Sequence, residues 1–127
     1  MPTVLIDTDL AIDYLRGMQY AKRVLVPLWE NNISFLSILT VYEMYAGMQD
    51  EERRDTSDFI NACNIEPVTM EIAIKGGDLY RYYRKKGITI TSIDCLIAAT
   101  ADVSGHKIAT RNVKHYPNKK ILYKFKV

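Results

Sequence analysis

The sequence predicts one α/β domain, a three-layer α/β/α sandwich with a mainly parallel central sheet. Short apolar segments alternate with longer amphipathic ones along all 127 residues, and strands that alternate with helices favour a parallel sheet covered on both faces. The length fits a single domain, and the 48% hydrophobic content can supply its core. No repeat, linker or low-complexity segment interrupts the chain. We therefore expect residues 1–127 to form one unit.

The first half of the chain predicts two strands and four helices. The apolar, β-branched segment before Asp7 is typical of a short buried strand. Asp9 is a suitable N-cap for the helix that follows, which Gly17 ends. The expected strands cover residues 3–8 and 33–36, and the expected helices run from the Asp9 cap to Gly17, over 22–30, from a Ser37 cap to Gly47, and over 49–62.

The second half predicts three strands and two helices. Pro67 weakens the apolar segment around it, so a strand there belongs at a sheet edge. Thr91 or Ser92 is the expected cap of an apolar helix, and His106 is expected to be a turn residue after Gly105. The expected strands cover residues 65–68, 107–110 and 121–127, and the expected helices cover 70–86, ended by Gly87, and the segment from the 91–92 cap to Ser104-Gly105.

Composition indicates an intracellular protein. No segment approaches the roughly 20 apolar residues of a membrane helix, and the N-terminus lacks the pattern of a secretory signal. Cys63 and Cys95 are the only cysteines and form no disulfide framework or metal knuckle, which favours the cytoplasm. The net charge is +2, yet seven basic residues and no acid follow from Lys107 onward. Such a tail suits phosphate backbones, although a solvated surface is the commoner explanation.

Three isolated carboxylates lie in apolar surroundings. Asp94 lies in a predicted buried helix, Asp7 ends the first strand, and Glu43 lies within an apolar helix. A buried acid is costly unless it is paired. Ligands of open parallel sheets bind at the carboxyl ends of the strands. Asp7 and Asp94 are expected to lie at this edge, and the longer side chain of Glu43 can reach it. A hard divalent cation is the natural partner for such a pocket.

Each acid also has a simpler explanation. An aspartate in a first helical turn, like Asp94, is stabilised by exposed amides and the helix dipole. Glu43 is also compatible with a half-exposed helix face, and Asp7 with a turn cap. A shared metal site explains all three acids together, whereas the simpler explanations require three separate coincidences at one edge.

The chain resembles the PIN-domain ribonucleases, and most closely the VapC-type toxins of toxin–antitoxin pairs. Each matching segment is a weak pattern alone, but their order and spacing form a strong one. The resemblance extends over nearly the whole chain. The matching segments are Leu5–Asp9, Asp13–Gly17, Ser37–Gly47, Ile88–Ile90, Asp94–Ala101 and Thr110–Tyr116.

The resemblance implies an α/β/α sandwich and Mg²⁺- or Mn²⁺-dependent cleavage of RNA. Carried over by position, Asp7, Glu43 and Asp94 form the core acidic set and the metal ligands. Asn112 occupies the fourth position, where relatives have Asp or Asn. His115 stands before Tyr116, where many relatives have an acid, and this departure leaves a second metal site open.

Further residues near the acidic edge have expected supporting functions. The hydroxyls of Thr8 and Thr110 are expected to orient waters or ligands. The cations of Arg111, Lys114 and Lys119 are expected to contact the RNA backbone. A segment from Tyr80 to Lys86 interleaves tyrosines with cations, as base-stacking surfaces do, but a helix C-terminus with buried rings has the same pattern. His115 is expected to be a surface histidine.

The resemblance also implies partners: a cognate antitoxin that wraps the protein, a second copy in a homodimer, and an RNA substrate.

Two alternative functions remain. Asp7-Thr8-Asp9 after an apolar strand is similar to the start of haloacid-dehalogenase-like phosphohydrolases, but Ala11 stands where they have Thr or Val. The other alternative is a PIN module that binds RNA without cutting it.

Overall fold

Within residues 2–127, which a computed structural model describes, four parallel strands form one sheet in the order β3-β2-β1-β4. All three neighbouring pairs run parallel, and Leu5 of β1 lies opposite both Phe35 of β2 and Ile108 of β4. The α/β fold class is therefore confirmed. The strands are β1 Thr3–Ile6, β2 Ser34–Ser37, β3 Asn64–Glu66 and β4 His106–Ala109.

Helices cover both faces of the sheet. Successive side chains of a strand point to opposite faces, so Val4 and Ile6 pack on one side of β1 while Leu5 packs on the other. Every one of these three side chains is fully buried. The helices are α1 Thr8–Leu15, α2 Gln19–Glu30, α3 Ile38–Gly47, α4 Arg53–Asn61, α5 Met70–Lys85 and α6 Ser92–Ser104.

Helix α6 packs against one face with α5 beside it. Ile97 and Ala98 of α6 join Leu5 and Ile108 in a buried cluster. A side chain at Gly76 of α5 would come within 2.8 Å of Leu96, so this glycine permits close approach of the two helices. Tyr83, Ile90 and Cys95 form a second, smaller cluster between them.

The prediction that Asp9 caps α1 was wrong. Asp7 is the N-cap, because its backbone is extended and its Oδ1 accepts the N–H of Thr8 at 2.9 Å. Asp9 lies inside the first turn of the helix. Asp7 therefore ends a strand and begins a helix at the same point.

The prediction of a strand over residues 121–127 was also wrong. A short 3-10 helix covers Lys119–Ile121, and only one isolated bridge, Ile108 to Leu122, extends the sheet. The alternating apolar residues that suggested a strand instead pack as aromatics: the ring of Phe125 stacks on Tyr20 at 6.4 Å. The helix predicted over 49–62 is divided into a 3-10 turn, Asp50–Glu52, and α4.

His106 is more than a turn residue. Its side chain is buried, its Nε2 lies 2.7 Å from Glu66 Oε1, and its Nδ1 lies 2.6 Å from Thr3 Oγ1. The imidazole therefore links three strands on the α5–α6 side of the sheet. The expectation that β3, before Pro67, lies at a sheet edge is confirmed.

Thr91 is the N-cap of α6, since its Oγ1 accepts the N–H of Asp94 at 3.1 Å. We expect Thr91→Ala to lower the free energy of unfolding by ~1 kcal/mol and Tm by about 4 °C. Thr91→Ser keeps the acceptor and should lose less than half as much. Thermal unfolding by circular dichroism measures both, and equal losses in the two variants would contradict the capping role.

Candidate active site

Asp7 lies at the carboxyl end of β1, with its side chain buried against the C-terminal part of the chain. Its Oδ1 is held by the Thr8 N–H, and its Oδ2 accepts a 2.9 Å hydrogen bond from the Tyr116 hydroxyl. Burial, and next the charge of Asp9, raise the pKa of Asp7 to about 6, against the lowering effect of these hydrogen bonds. The site therefore holds a carboxylate whose negative charge is poorly compensated.

Glu43 is joined to this site through Thr8. The Thr8 hydroxyl donates to Glu43 Oε1 at 2.7 Å, which brings the α3 glutamate to the first residue of α1. Glu43 is half-buried and also lines a cavity of about 80 Å³ with Arg16, Glu52 and Thr56 among its walls. The side chain thus reaches back to the sheet edge, as predicted from its position in α3.

Asp94 approaches the same place from α6. It is half-buried, and its Oδ2 lies 3.5 Å from His115 Nδ1. Burial raises the pKa of the Tyr116 phenol, and the charges of Asp7, Asp94 and Asp9 raise it further. One buried phenol therefore lies within electrostatic reach of three carboxylates.

Asp9 organises the segment after β4. Its carboxylate accepts the backbone N–H groups of Arg111 and Asn112, both at 2.9 Å, and lies 3.3 Å from the Thr110 hydroxyl. Thr110 follows β4 directly. One side chain from α1 thus holds the backbone at two consecutive residues and the hydroxyl of the residue before them.

Arg111 has an acidic partner of its own. Its Nη1 lies 3.0 Å from Oδ2 of buried Asp13, and the Tyr20 hydroxyl donates to the same oxygen. The guanidinium is therefore partly neutralised. This arrangement limits what Arg111 can contribute to phosphate binding.

The other residues predicted to contact RNA or metal lie around this edge. Asn112 and Lys114 are exposed, and Lys119 is exposed with its Nζ donating to Val113 O at 2.5 Å. Asn112 contacts Asp9 through its backbone, which leaves its side chain for another function. Thr8 contacts both Asp7 and Glu43, and Asp94 lies near enough to Tyr116 for its charge to raise the pKa of that phenol.

The donor set fits a hard divalent cation. Carboxylates are the oxygen ligands that Mg²⁺ takes, and one or two are sufficient because the ion keeps several waters. The pKa of Asp7 is raised because burial disfavours its ionised form. A bound cation would stabilise that form. Among residues 2–127, no three His, Cys, Asp or Glu side chains are close enough to hold an ion together. A cation at this edge would therefore have fewer than three protein carboxylates as ligands, with water completing its shell.

Tyr116 and Asp9 were missed as functional candidates. The weak signal for Tyr116 was an aromatic near the C-terminus with no obvious apolar neighbours in sequence. Asp9 was misassigned because Asp7 and Asp9 are both suitable helix caps. A sequence does not show which of two nearby acids will point inward.

The structure thus has a parallel sheet between two layers of helices, with carboxylates at the carboxyl edge of that sheet. The family described as PIN domain matches residues 4–118. The chain belongs to the PIN-domain family.

Named relatives lie close in sequence and in fold. Ribonuclease VapC10 of Mycobacterium tuberculosis is 37% identical over 114 residues, which cover 90% of this chain and 86% of that protein. Ribonuclease VapC19 of the same organism is 40% identical over 89% of this chain and 91% of its own length. The structure of DNA-bound VapBC from Salmonella typhimurium superposes with a TM-score of 0.81, at 21% identity over 96% of both chains.

The raised pKa of Asp7 predicts a loss of stability with rising pH in metal-free protein. An acid whose pKa is higher in the folded state stabilises the fold below about pH 4, and that contribution disappears as pH rises through about 6. The loss should amount to about 3 kcal/mol. Asp7→Asn should abolish most of it. Urea unfolding in EDTA from pH 4 to 7.5 measures the difference, and parallel profiles for the two proteins would show that Asp7 is not strained.

Loss of the Asp9 carboxylate should loosen the segment after β4. Asp9→Ala removes the acceptor of the Arg111 N–H and leaves the Asn112 N–H only the Thr110 Oγ1 at 3.1 Å, so we expect stability to fall by about 1 kcal/mol. Amide exchange at residues 110–112 should accelerate more than elsewhere. Asp58→Ala removes an exposed acid from α4 and is the matched control. Similar exchange rates in the two variants would refute this function of Asp9.

Proposed function

We propose that the protein is a Mg²⁺- or Mn²⁺-dependent endoribonuclease, and the toxin of a toxin–antitoxin pair. The observation that carries the proposal is the pair of hydrogen bonds by which Thr8 contacts both Asp7 and Glu43 at the carboxyl edge, with Asp94 near enough for its charge to raise the pKa of Tyr116, the phenol that donates to Asp7. Support also comes from curated relatives named ribonucleases. The proposed substrate is RNA, and the proposed setting is the cytoplasm.

Asp7 and Asp94 are the proposed metal ligands, and Glu43 completes the pocket directly or through water. When bound, the ion supplies Lewis acidity that activates a water and offsets charge on the scissile phosphate. Tyr116 orients the Asp7 carboxylate through its 2.9 Å hydrogen bond, and Thr8 orients Glu43. Water attacks phosphorus in line and the bond to the 3′ oxygen breaks, which leaves a 5′-phosphate and a 3′-hydroxyl. The RNA 2′-hydroxyl takes no part.

Basic residues position the substrate. Lys114 and Lys119 are exposed cations beside the acidic edge, so they suit contacts to the RNA backbone. Arg111 contributes less, because Asp13 balances its charge. Asp9 holds the segment that follows β4 in place through Thr110 and the backbone of Asn112, and the Asn112 side chain is the proposed fourth member of the catalytic set.

An unrestrained ribonuclease harms its own cell, so a protein inhibitor is expected. Solved complexes of the same fold include a toxin–antitoxin complex from Klebsiella pneumoniae and VapBC assemblies. We propose a cognate antitoxin and a homodimer for this chain. Ile38 and Tyr42 on α3 and Met70 and Ile74 on α5 are exposed apolar residues that suit such contacts. No helix in the part of the chain that the structure describes is long and apolar enough to cross a membrane.

The two alternatives are not favoured. In a phosphohydrolase of the haloacid-dehalogenase type, the first aspartate is a nucleophile. Here both oxygens of Asp7 already accept hydrogen bonds and the side chain is only 8% exposed, while Asp9 is used to hold the 110–112 backbone. A module that only binds RNA has no need for a buried Asp7 whose carboxylate is held by Thr8 and Tyr116.

Asp94→Asn should reduce metal-dependent RNA cleavage by at least roughly 100-fold, because it removes a ligand charge. Asp102→Asn, on the exposed face of the same helix, should leave the rate unchanged. The assay incubates total cellular RNA with each protein in Mg²⁺ or Mn²⁺, with and without EDTA, and maps new 5′ ends.

The chemical ends of the products distinguish hydrolysis by water from cleavage that uses the RNA 2′-hydroxyl. New ends should carry 5′-phosphates, and a single 2′-deoxy substitution at a mapped cleavage site should still be cut. Full activity of Asp94→Asn, or undiminished activity in EDTA, would refute the assignment. Circular dichroism verifies that both variants are folded.

A further inference from the structure

The C-terminal part of α5 carries the densest mixture of cations and aromatic rings in the chain. Residues 80–86 include four cations, three tyrosines and no acid. The three tyrosines differ in environment. Tyr83 is buried against Ile90 and Cys95, whereas Tyr80 and Tyr82 are 36% and 50% exposed. Lys86 already lies over the Tyr82 ring at 4.6 Å. Tyr80 is therefore the exposed ring without such a cation.

The Tyr80 ring stands between two cavities. The first, the α5 pocket, has a volume of about 270 Å³ and is lined by Tyr80, Arg84, Gly87, Ile88, Thr89 and Ile90. The second has a volume of about 220 Å³ and is lined by Gly76, Gly77, Tyr80, Ser92, Cys95 and Leu96.

Charge and shape in the α5 pocket suit a flat, apolar ring attached to an anion. Arg84 supplies the cation and Tyr80 the aromatic wall, while Ile88 and Ile90 supply apolar surface. No acid lines either cavity. Nucleobases stack on aromatic side chains while basic residues follow the phosphates.

Both cavities are lined by residues close to Asp94 in sequence. Ser92 and Cys95 are in the same first turns of α6 as Asp94, and Ile90 precedes the Thr91 cap. Asp94 is four positions after Ile90, so the two Cα atoms are at most about 14 Å apart. This spacing is short enough for one RNA strand to reach both Asp94 and the α5 pocket.

We propose that the α5 pocket is a subsite for single-stranded RNA, in which an unpaired base stacks on Tyr80 and Arg84 contacts the adjoining phosphate. This inference rests on the ribonuclease function proposed above. A base held in a duplex is excluded from the pocket, because it cannot leave its neighbours without loss of stacking and pairing. The subsite therefore makes the protein select unpaired segments.

Fluorescence anisotropy with a fluorescein-labelled, mixed-sequence 12-nucleotide RNA tests the subsite, in EDTA so that the RNA stays intact. Tyr80→Leu should weaken binding ~10-fold, through lost stacking. Arg84→Gln should weaken it by at least ~5-fold and flatten the dependence of log K on log salt by about 0.7. Arg81→Gln is the matched control, since it removes the same charge from α5 but from a residue paired with Asp78 at 3.2 Å. It should change binding less than 2-fold.

Cleavage kinetics with Mn²⁺ separate this inference from the proposed function. Tyr80→Leu and Arg84→Gln should raise KM and leave kcat nearly unchanged. Equal weakening by Arg84→Gln and Arg81→Gln, or unchanged RNA binding in Tyr80→Leu, would overturn the subsite even if the wild type cuts RNA. Loss of antitoxin binding in these variants, with RNA binding intact, would assign the surface to a protein partner and also overturn it. A wild type that binds RNA in this pattern but never cuts it would refute the nuclease and keep the subsite.

Discussion

The hydrogen bond from Tyr116 to Asp7 is the interaction on which the site depends. It connects the C-terminal segment to the end of β1, 109 residues earlier in the chain, and it compensates part of the cost of a buried carboxylate. The phenol is fully buried, so it cannot move to water when the carboxylate changes its charge. The same ring lies close enough to Asp94 for that charge to raise its pKa. The strand order places Asp7 at the carboxyl edge of the sheet, and the hydrogen bond from Tyr116 fixes the orientation of its carboxylate.

The aspartates of α1 and its N-cap make different contacts. Asp7 and Asp9 are two residues apart, yet one points into the site and the other holds the backbone of residues 111 and 112. Asp13 neutralises Arg111 on the next turn. Burial raises the pKa of Asp7, so a nearby cation would stabilise its ionised form. The remaining acids form the frame around it.

Much of this arrangement could be predicted from sequence, for identifiable reasons. The alternation of strands with helices predicted the parallel sheet. Asp7 at the end of a strand and Asp94 at the start of a helix indicated a common edge. The cap of α1, the partners of His106 and the end of the chain could not be predicted, because each depends on a contact between residues distant in sequence. Tyr123 and Phe125 alternate like a strand, but their rings pack near Tyr20 and leave a single bridge to β4. The convergence of Glu43 with Asp7 required Thr8 as an intermediary, which spacing alone does not reveal.

The most direct test of a shared acidic metal site is a crystal structure of the protein with Mn²⁺, with anomalous scattering used to locate the ion. We expect an anomalous peak bounded by the carboxylates of Asp7 and Asp94, with Glu43 in direct contact or one water away. A peak that contacts only one of these three acids, or that lies away from the carboxyl edge of the sheet, would contradict it.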